Sequence, residues 1–94
     1  MFPETNQTGF LCNISGKVQG VHYRASIRDS ALSLKIYGWA KNLTNGSVEV
    51  VAVGEYRAVE KIIILLWSGS KYSEVSSITI SRWSNKVNEG FFIK

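Results

Sequence analysis

The Asn45-Gly46 pair sits between two short runs of strand character and is the feature that most restricts how this chain folds. Asparagine and glycine both tolerate positive φ, so the pair predicts a two-residue hairpin turn. It joins a strand from about Ile36 to Leu43 to a valine-rich strand from Ser47 to Val53. A helical stripe lies on each side of this hairpin. Tyr23, Ile27, Ala31 and Leu34 share one face of a helix over about 22–34, and Val59, Ile62, Ile63 and Leu66 share one face of a helix over about 56–68. Before the first stripe, Phe10, Cys12 and Ile14 alternate with Leu11 and Asn13, as a half-buried strand does. After the second, residues 75–82 alternate again with Ile78 and Ile80 inward, and Phe91-Phe92-Ile93 makes a short closing strand. The order β-α-β-β-α-β predicts a ferredoxin-like α+β sandwich, an antiparallel sheet with both helices on one face.

Ninety-four residues make one domain, expected over 9–94 behind a polar extension at 1–8. With one cysteine no internal disulfide forms, and Cys12 at an inward strand position reads as a small core hydrophobe. One histidine, one cysteine and seven scattered acidic residues give neither a zinc nor a magnesium cage, so no metal is expected. A net charge of +4, spread along the chain, gives at most mild steering of an anionic substrate. No apolar run reaches the ~18 residues of a membrane span. The start of the chain lacks the apolar centre of a secretory signal, so the expected compartment is the cytoplasm. There the Asn-x-Ser/Thr triplets at Asn6, Asn13, Asn42 and Asn45 carry no glycan.

The chemistry concentrates in Gly16-Lys17-Val18-Gln19-Gly20-Val21-His22-Tyr23-Arg24. A strand precedes this loop and a helix follows it. A glycine loop entering a helix presents backbone N–H groups, and the helix dipole adds partial positive charge. Arg24, in the first helical turn, supplies a fork of donors that suits a tetrahedral oxyanion, above all phosphate. The glycine spacing is neither a Walker A loop nor a dinucleotide fingerprint. By spacing alone it also describes an ordinary βα connection.

The run resembles the first signature of the acylphosphatases. The second, Gly-Trp-Val-x-Asn-x-x-x-Gly-x-Val, is similar to Gly38-Trp39-Ala40-Lys41-Asn42-Leu43-Thr44-Asn45-Gly46-Ser47-Val48, with Ala40 in place of valine. The resemblance spans about Phe10 to Ile93. It implies a ferredoxin-like fold and hydrolysis of a carboxyl–phosphate anhydride without metal or organic cofactor. It implies that Arg24 binds the substrate phosphate with the loop Lys17, Val18, Gln19, Gly20 and Val21, and that Asn42 positions the attacking water. The carboxylate leaving group is a weak base, so no strong general acid is needed. His22 holds a variable position of the signature and is expected to be non-catalytic, and Gln19 and Lys17 to shape the loop or its rim. Tyr23 and Trp39 are expected in the core or at its edge. Inorganic phosphate or sulfate should compete with a small acyl phosphate at a monomeric enzyme. Where the family commonly has Gly-Pro after the second helix this chain has Gly69-Ser70, a departure far in sequence from both signatures and expected to affect local rigidity alone.

Two other classes share the fold. A nucleic-acid module needs aromatic residues on its central strands, and the strand 48–53 has none. Neither nucleic acid nor membrane is expected as a partner. A phosphate- or ligand-binding module without turnover would keep the same loop. Ile64, Leu65 and Trp67 widen the second helical stripe more than a solvent-facing helix needs, which suits a broad core face with scattered exposed apolar residues ahead of a contact surface for a partner protein.

Overall fold

The strands pair where the alternation sets them. A computed structural model describes residues 7–94 and gives β1 (Gln7–Lys17), α1 (Tyr23–Ser33), β2 (Tyr37–Asn42), β3 (Val48–Glu55), α2 (Tyr56–Ser68), β4 (Glu74–Arg82) and β5 (Phe91–Ile93). The sheet order is β4-β1-β3-β2-β5. The expected extension at 1–8 overlaps β1, whose Gln7 and Thr8 pair with Glu55 and Gly54; residues 1–6 lie outside the described residues. The sheet is mixed rather than wholly antiparallel. After β4, at one edge, the chain crosses to the opposite edge, and β5 runs parallel to β2.

One face of the sheet carries the helices. Phe10, Cys12 and Ile14 of β1, Ala40 of β2 and Val48, Val50 and Ala52 of β3 meet Tyr23, Ile27 and Ala31 of α1 and Val59, Ile62 and Leu66 of α2. Each aliphatic side chain buried here stabilises by about 1.5–3 kcal/mol, the dominant favourable term. Leu34 and Ile63 pack against this core only in part. Ile80 departs from expectation. It stands in register with Cys12 but is 46% exposed, because β4 is the edge strand and the helix layer does not extend over that end of it. Ile64 and Trp67 are also exposed, at 67% and 51%, on the outer side of α2.

The central hairpin is one residue longer than the Asn-Gly pair predicts. Gly46 N–H donates to Leu43 C=O and Leu43 N–H to Ser47 C=O, so Thr44, Asn45 and Gly46 form a three-residue loop. Only Gly46 takes positive φ, 93°, as in a turn closed by a bulge. The Asn45 side chain accepts from both the backbone N–H and the hydroxyl of Ser47, which favours this geometry over the tighter turn. The second strand accordingly starts at Tyr37, after Lys35 turns the chain out of α1 with φ 58°.

Tyr23 is a core residue as expected, but Trp39 is not. It lies on the face without helices, in register with Val51 and Leu11. There its ring meets Trp83 edge-on at 5.4 Å, its Nε1 donates to Glu49, and the Lys94 ammonium sits 4.0 Å over it. The open face therefore carries aromatic residues from β2 and from beyond β4, although β3 has none. The Lys94 ammonium covers one face of the Trp39 ring, and Trp83 packs against it at a right angle.

Burial raises the Cys12 thiol from about 9 to about 11 and also pushes the Tyr23 phenol upward, with a smaller contribution from Cys12 itself. Both groups fold as neutral acids. The unfolded chain gives up these protons first as pH rises, so the contribution of these two groups is constant below the unfolded thiol's pKa of about 8.5 and is lost as pH rises from there through the folded-state titrations. The melting temperature should drop between pH 8.5 and 11 by more than in a Cys12→Ala protein. Native Cys12 should resist a thiol reagent at pH 8 and react fully after denaturation.

Candidate active site

The register of β1, β3 and β2 brings the end of β1, the start of β3 and the end of β2 to one end of the sheet. Ile14 pairs with Val48, and Val48 with Asn42. The loop leaving β1 therefore lies beside the hairpin that follows Asn42. Val18 anchors the loop in the core at 1% exposure, and Val21 packs against the core edge. Gly20 takes φ 74° and His22 takes φ 61°, so the chain makes two left-handed turns before α1 begins. A Cβ at Gly20 would meet no atom within 4 Å; its glycine answers to the backbone angle rather than to space. His22 is the N-cap of α1, and its carbonyl accepts the first helical bond from Ser26.

The two helix starts differ. At α2 the Glu55 carboxylate accepts from the N–H groups of Arg57 and Ala58. At α1 no side chain caps, and the first turn holds no acidic residue. The N–H groups of its first turn have no intrahelical acceptors, and the positive end of the helix dipole is unopposed there. A cleft of about 300 Å³ opens at this point, lined by Val18, Gly20, His22, Tyr23, Arg24, Ala25 and Ile93. Of the loop residues named from sequence, Val18 and Gly20 line it. Lys17 is an exposed strand end paired with Glu74.

Arg24 and Asn42 converge on one atom, the backbone oxygen of Lys94. Arg24 donates to it from a terminal guanidinium nitrogen at 2.8 Å and Asn42 from its backbone N–H at 3.4 Å. Lys94 is itself held by β2, its N–H donating to Ala40 C=O at 2.9 Å. One contact thus fixes the guanidinium, and its other N–H donors remain for a ligand. Asn42 Oδ1 is buried and accepts from no donor among the described residues. An unpaired buried acceptor costs about 1–3 kcal/mol, which a bound water offsets.

Gln19 does not turn to the cleft. Its amide nitrogen donates to Leu43 C=O at 2.8 Å and to Ser47 C=O at 2.9 Å, spending both hydrogens on the two strands of the hairpin. This tie sets the spacing between loop and Asn42, a sharper role than shaping a rim. Two contributors escaped the sequence reading. Ser70 donates its hydroxyl to Val21 C=O, so the connection after α2 touches the loop despite its distance in sequence. Lys94 contributes a backbone atom, which no residue identity announces. Among the described residues no group of three or more His, Cys, Asp and Glu side chains could hold a metal ion.

The acylphosphatase family model matches residues 11–93. The chain belongs to the acylphosphatase family. It is similar to acylphosphatases of Pelotomaculum thermopropionicum, 42% identical over 81% of this chain and 82% of the relative, and of Coxiella burnetii, 40% identical over 94% and 90%. Among solved structures, an acylphosphatase from Coxiella burnetii superposes with a TM-score of 0.92 at 36% identity, covering 98% of this chain and 97% of that one. An acylphosphatase from Bacillus subtilis gives 0.88 at 30% identity over 92% and 97%.

Truncating the clamp should be visible in stability. Gln19→Ala removes the second donor from each of two carbonyls that keep a backbone partner, and at about 0.5–1.5 kcal/mol per bond should cost about 1–3 kcal/mol in denaturant unfolding. A change below about 0.5 kcal/mol, the scale of an ordinary surface substitution, would show that the tie carries no load.

Proposed function

We propose that the protein hydrolyses acyl phosphates to a carboxylate and inorganic phosphate, with Arg24 and the 17–21 loop holding the phosphoryl group and Asn42 holding the attacking water. The observation that carries this reading is the meeting of Arg24 and Asn42 on the Lys94 oxygen, beside a helix start left uncapped. Backbone N–H groups of the loop and of the first turn of α1 supply donors in a fixed array. The guanidinium adds charge and a planar fork that lysine lacks. The Asn42 amide both donates and accepts, so it orients a water without ionising.

Water attacks phosphorus in line, and its oxygen forms the new P–O bond. The bond from phosphorus to the carboxyl oxygen breaks, and its electron pair leaves on the carboxylate. A phosphate oxygen takes the water's proton. Charge on the phosphoryl oxygens is stabilised throughout by donors already aimed at them, so catalysis is positioning plus electrostatics. His22 lines the cleft, yet in this reading its contribution is a backbone turn rather than a proton. No metal or organic cofactor takes part. The reading includes work as a monomer on a small acyl phosphate in the cytoplasm, with phosphate or sulfate competing for the cradle.

Phosphate release from a simple acyl phosphate tests the reading. Arg24→Ala should lower kcat/KM by at least ~10²-fold, the scale of losing one oriented donor to a developing oxyanion, and Arg24→Lys should recover little. Full turnover in a folded Arg24→Ala protein would remove the assignment.

Asn42→Ala separates chemistry from binding. It should lower kcat and kcat/KM together while inorganic phosphate inhibits as in the parent. Circular dichroism melting on the same sample keeps a collapsed hairpin from passing as a lost water. An unchanged kcat in a stable Asn42→Ala protein overturns the role.

A further inference from the structure

We infer that Ser70, on the connection between α2 and β4, is a positioning residue for the phosphate cradle, acting through the Val21 carbonyl. The inference rests on the reading that the 17–21 loop binds phosphate. The Ser70 hydroxyl donates to Val21 C=O across 49 residues of chain. That carbonyl belongs to the peptide whose N–H is His22's. All peptides among the described residues are trans, so the two groups point opposite ways. Fixing the carbonyl on Ser70 turns the His22 N–H away from the connection, at a residue that lines the cleft. A peptide free to rotate would offer the anion its carbonyl oxygen for part of the time, which repels it.

The connection is built to hold this contact still. Gly69 ends α2 with φ 63°, and a Cβ there would come within 2.8 Å of the Tyr23 ring, so the turn packs directly on the first residue of α1. The Tyr23 hydroxyl donates to Leu66 C=O at 2.6 Å and ties that residue back to α2. The Ser73 hydroxyl accepts from Ser70 N–H and donates to Ser70 C=O, both at 2.9 Å. The turn is therefore braced by Ser73 and by Ser70 backbone atoms, and the Ser70 side chain is left for the loop. A proline at 70, as the family commonly has, offers neither the N–H nor the hydroxyl.

The test compares Ser70→Ala and Ser70→Thr with the parent in KM, kcat, inhibition by inorganic phosphate and melting temperature. Ser70→Ala removes the donor and leaves the turn's own bonds in place. Substrate and transition state lose the same oriented N–H, so KM and the phosphate inhibition constant should rise together, about three- to tenfold, with kcat within about twofold. Ser70→Thr keeps a hydroxyl and should restore both. A lower melting temperature with unchanged KM and unchanged phosphate inhibition would make Ser70 merely structural and overturn the inference, as would a threonine variant as impaired as alanine. If phosphate fails to inhibit even the parent, the cradle reading itself falls. If it inhibits parent and Ser70→Ala equally, only the role of Ser70 does.

Discussion

The register of the β1–β3 pair is the constraint on which everything at the cleft depends. These are the middle strands, paired without interruption from Gln7 opposite Glu55 to Ile14 opposite Val48. A slip of one residue would exchange the two faces, sending Cys12 and Ile14 to the open side and Leu11 and Asn13 under the helices. It would also part the loop from the hairpin, because Gln19 reaches Leu43 and Ser47 only in this alignment. Core packing and site geometry are thus one specification. The apolar face that stabilises the fold also fixes the distance between the 17–21 loop and Asn42.

Electrostatics adds a local contrast to that frame. The same short chain neutralises one helix start with Glu55 and leaves the other open beside an arginine. A carboxylate cap at α1 would have stabilised the helix by about 1 kcal/mol, and it would have occupied the N–H groups that stand open beside Arg24. Stability forgone at this helix start is made up in the buried contacts of Tyr23, Ile27 and Ala31.

Much of this was legible in the sequence, and the reasons differ by residue. The helix stripes and the alternation of Phe10, Cys12 and Ile14 are local, so they read directly. The family motifs drew attention to Arg24 and Asn42. The misreadings arose where the outcome depends on neighbours distant in the chain. Ile80 has the pattern of an inward residue, but its exposure is set by where the helix layer ends. Trp39 has the composition of a core residue, and only the strand register puts it on the other face. The hairpin gained a residue because the Asn45 side chain found Ser47, a choice that a dipeptide rule does not weigh. Ser70 lies 49 residues from its partner, and Lys94 acts through an atom that every residue possesses.

The hydrogen bond from Arg24 to Lys94 spans 70 residues of sequence. Closing so large a loop costs more chain entropy than zipping the central hairpin or either helix, and the contact gains little until the intervening strands are paired. A contact of this span is expected to form after the local pairings on which it rests. The Arg24 anchor exists only where β5 has paired with β2, so one short parallel strand decides whether the guanidinium is held or loose.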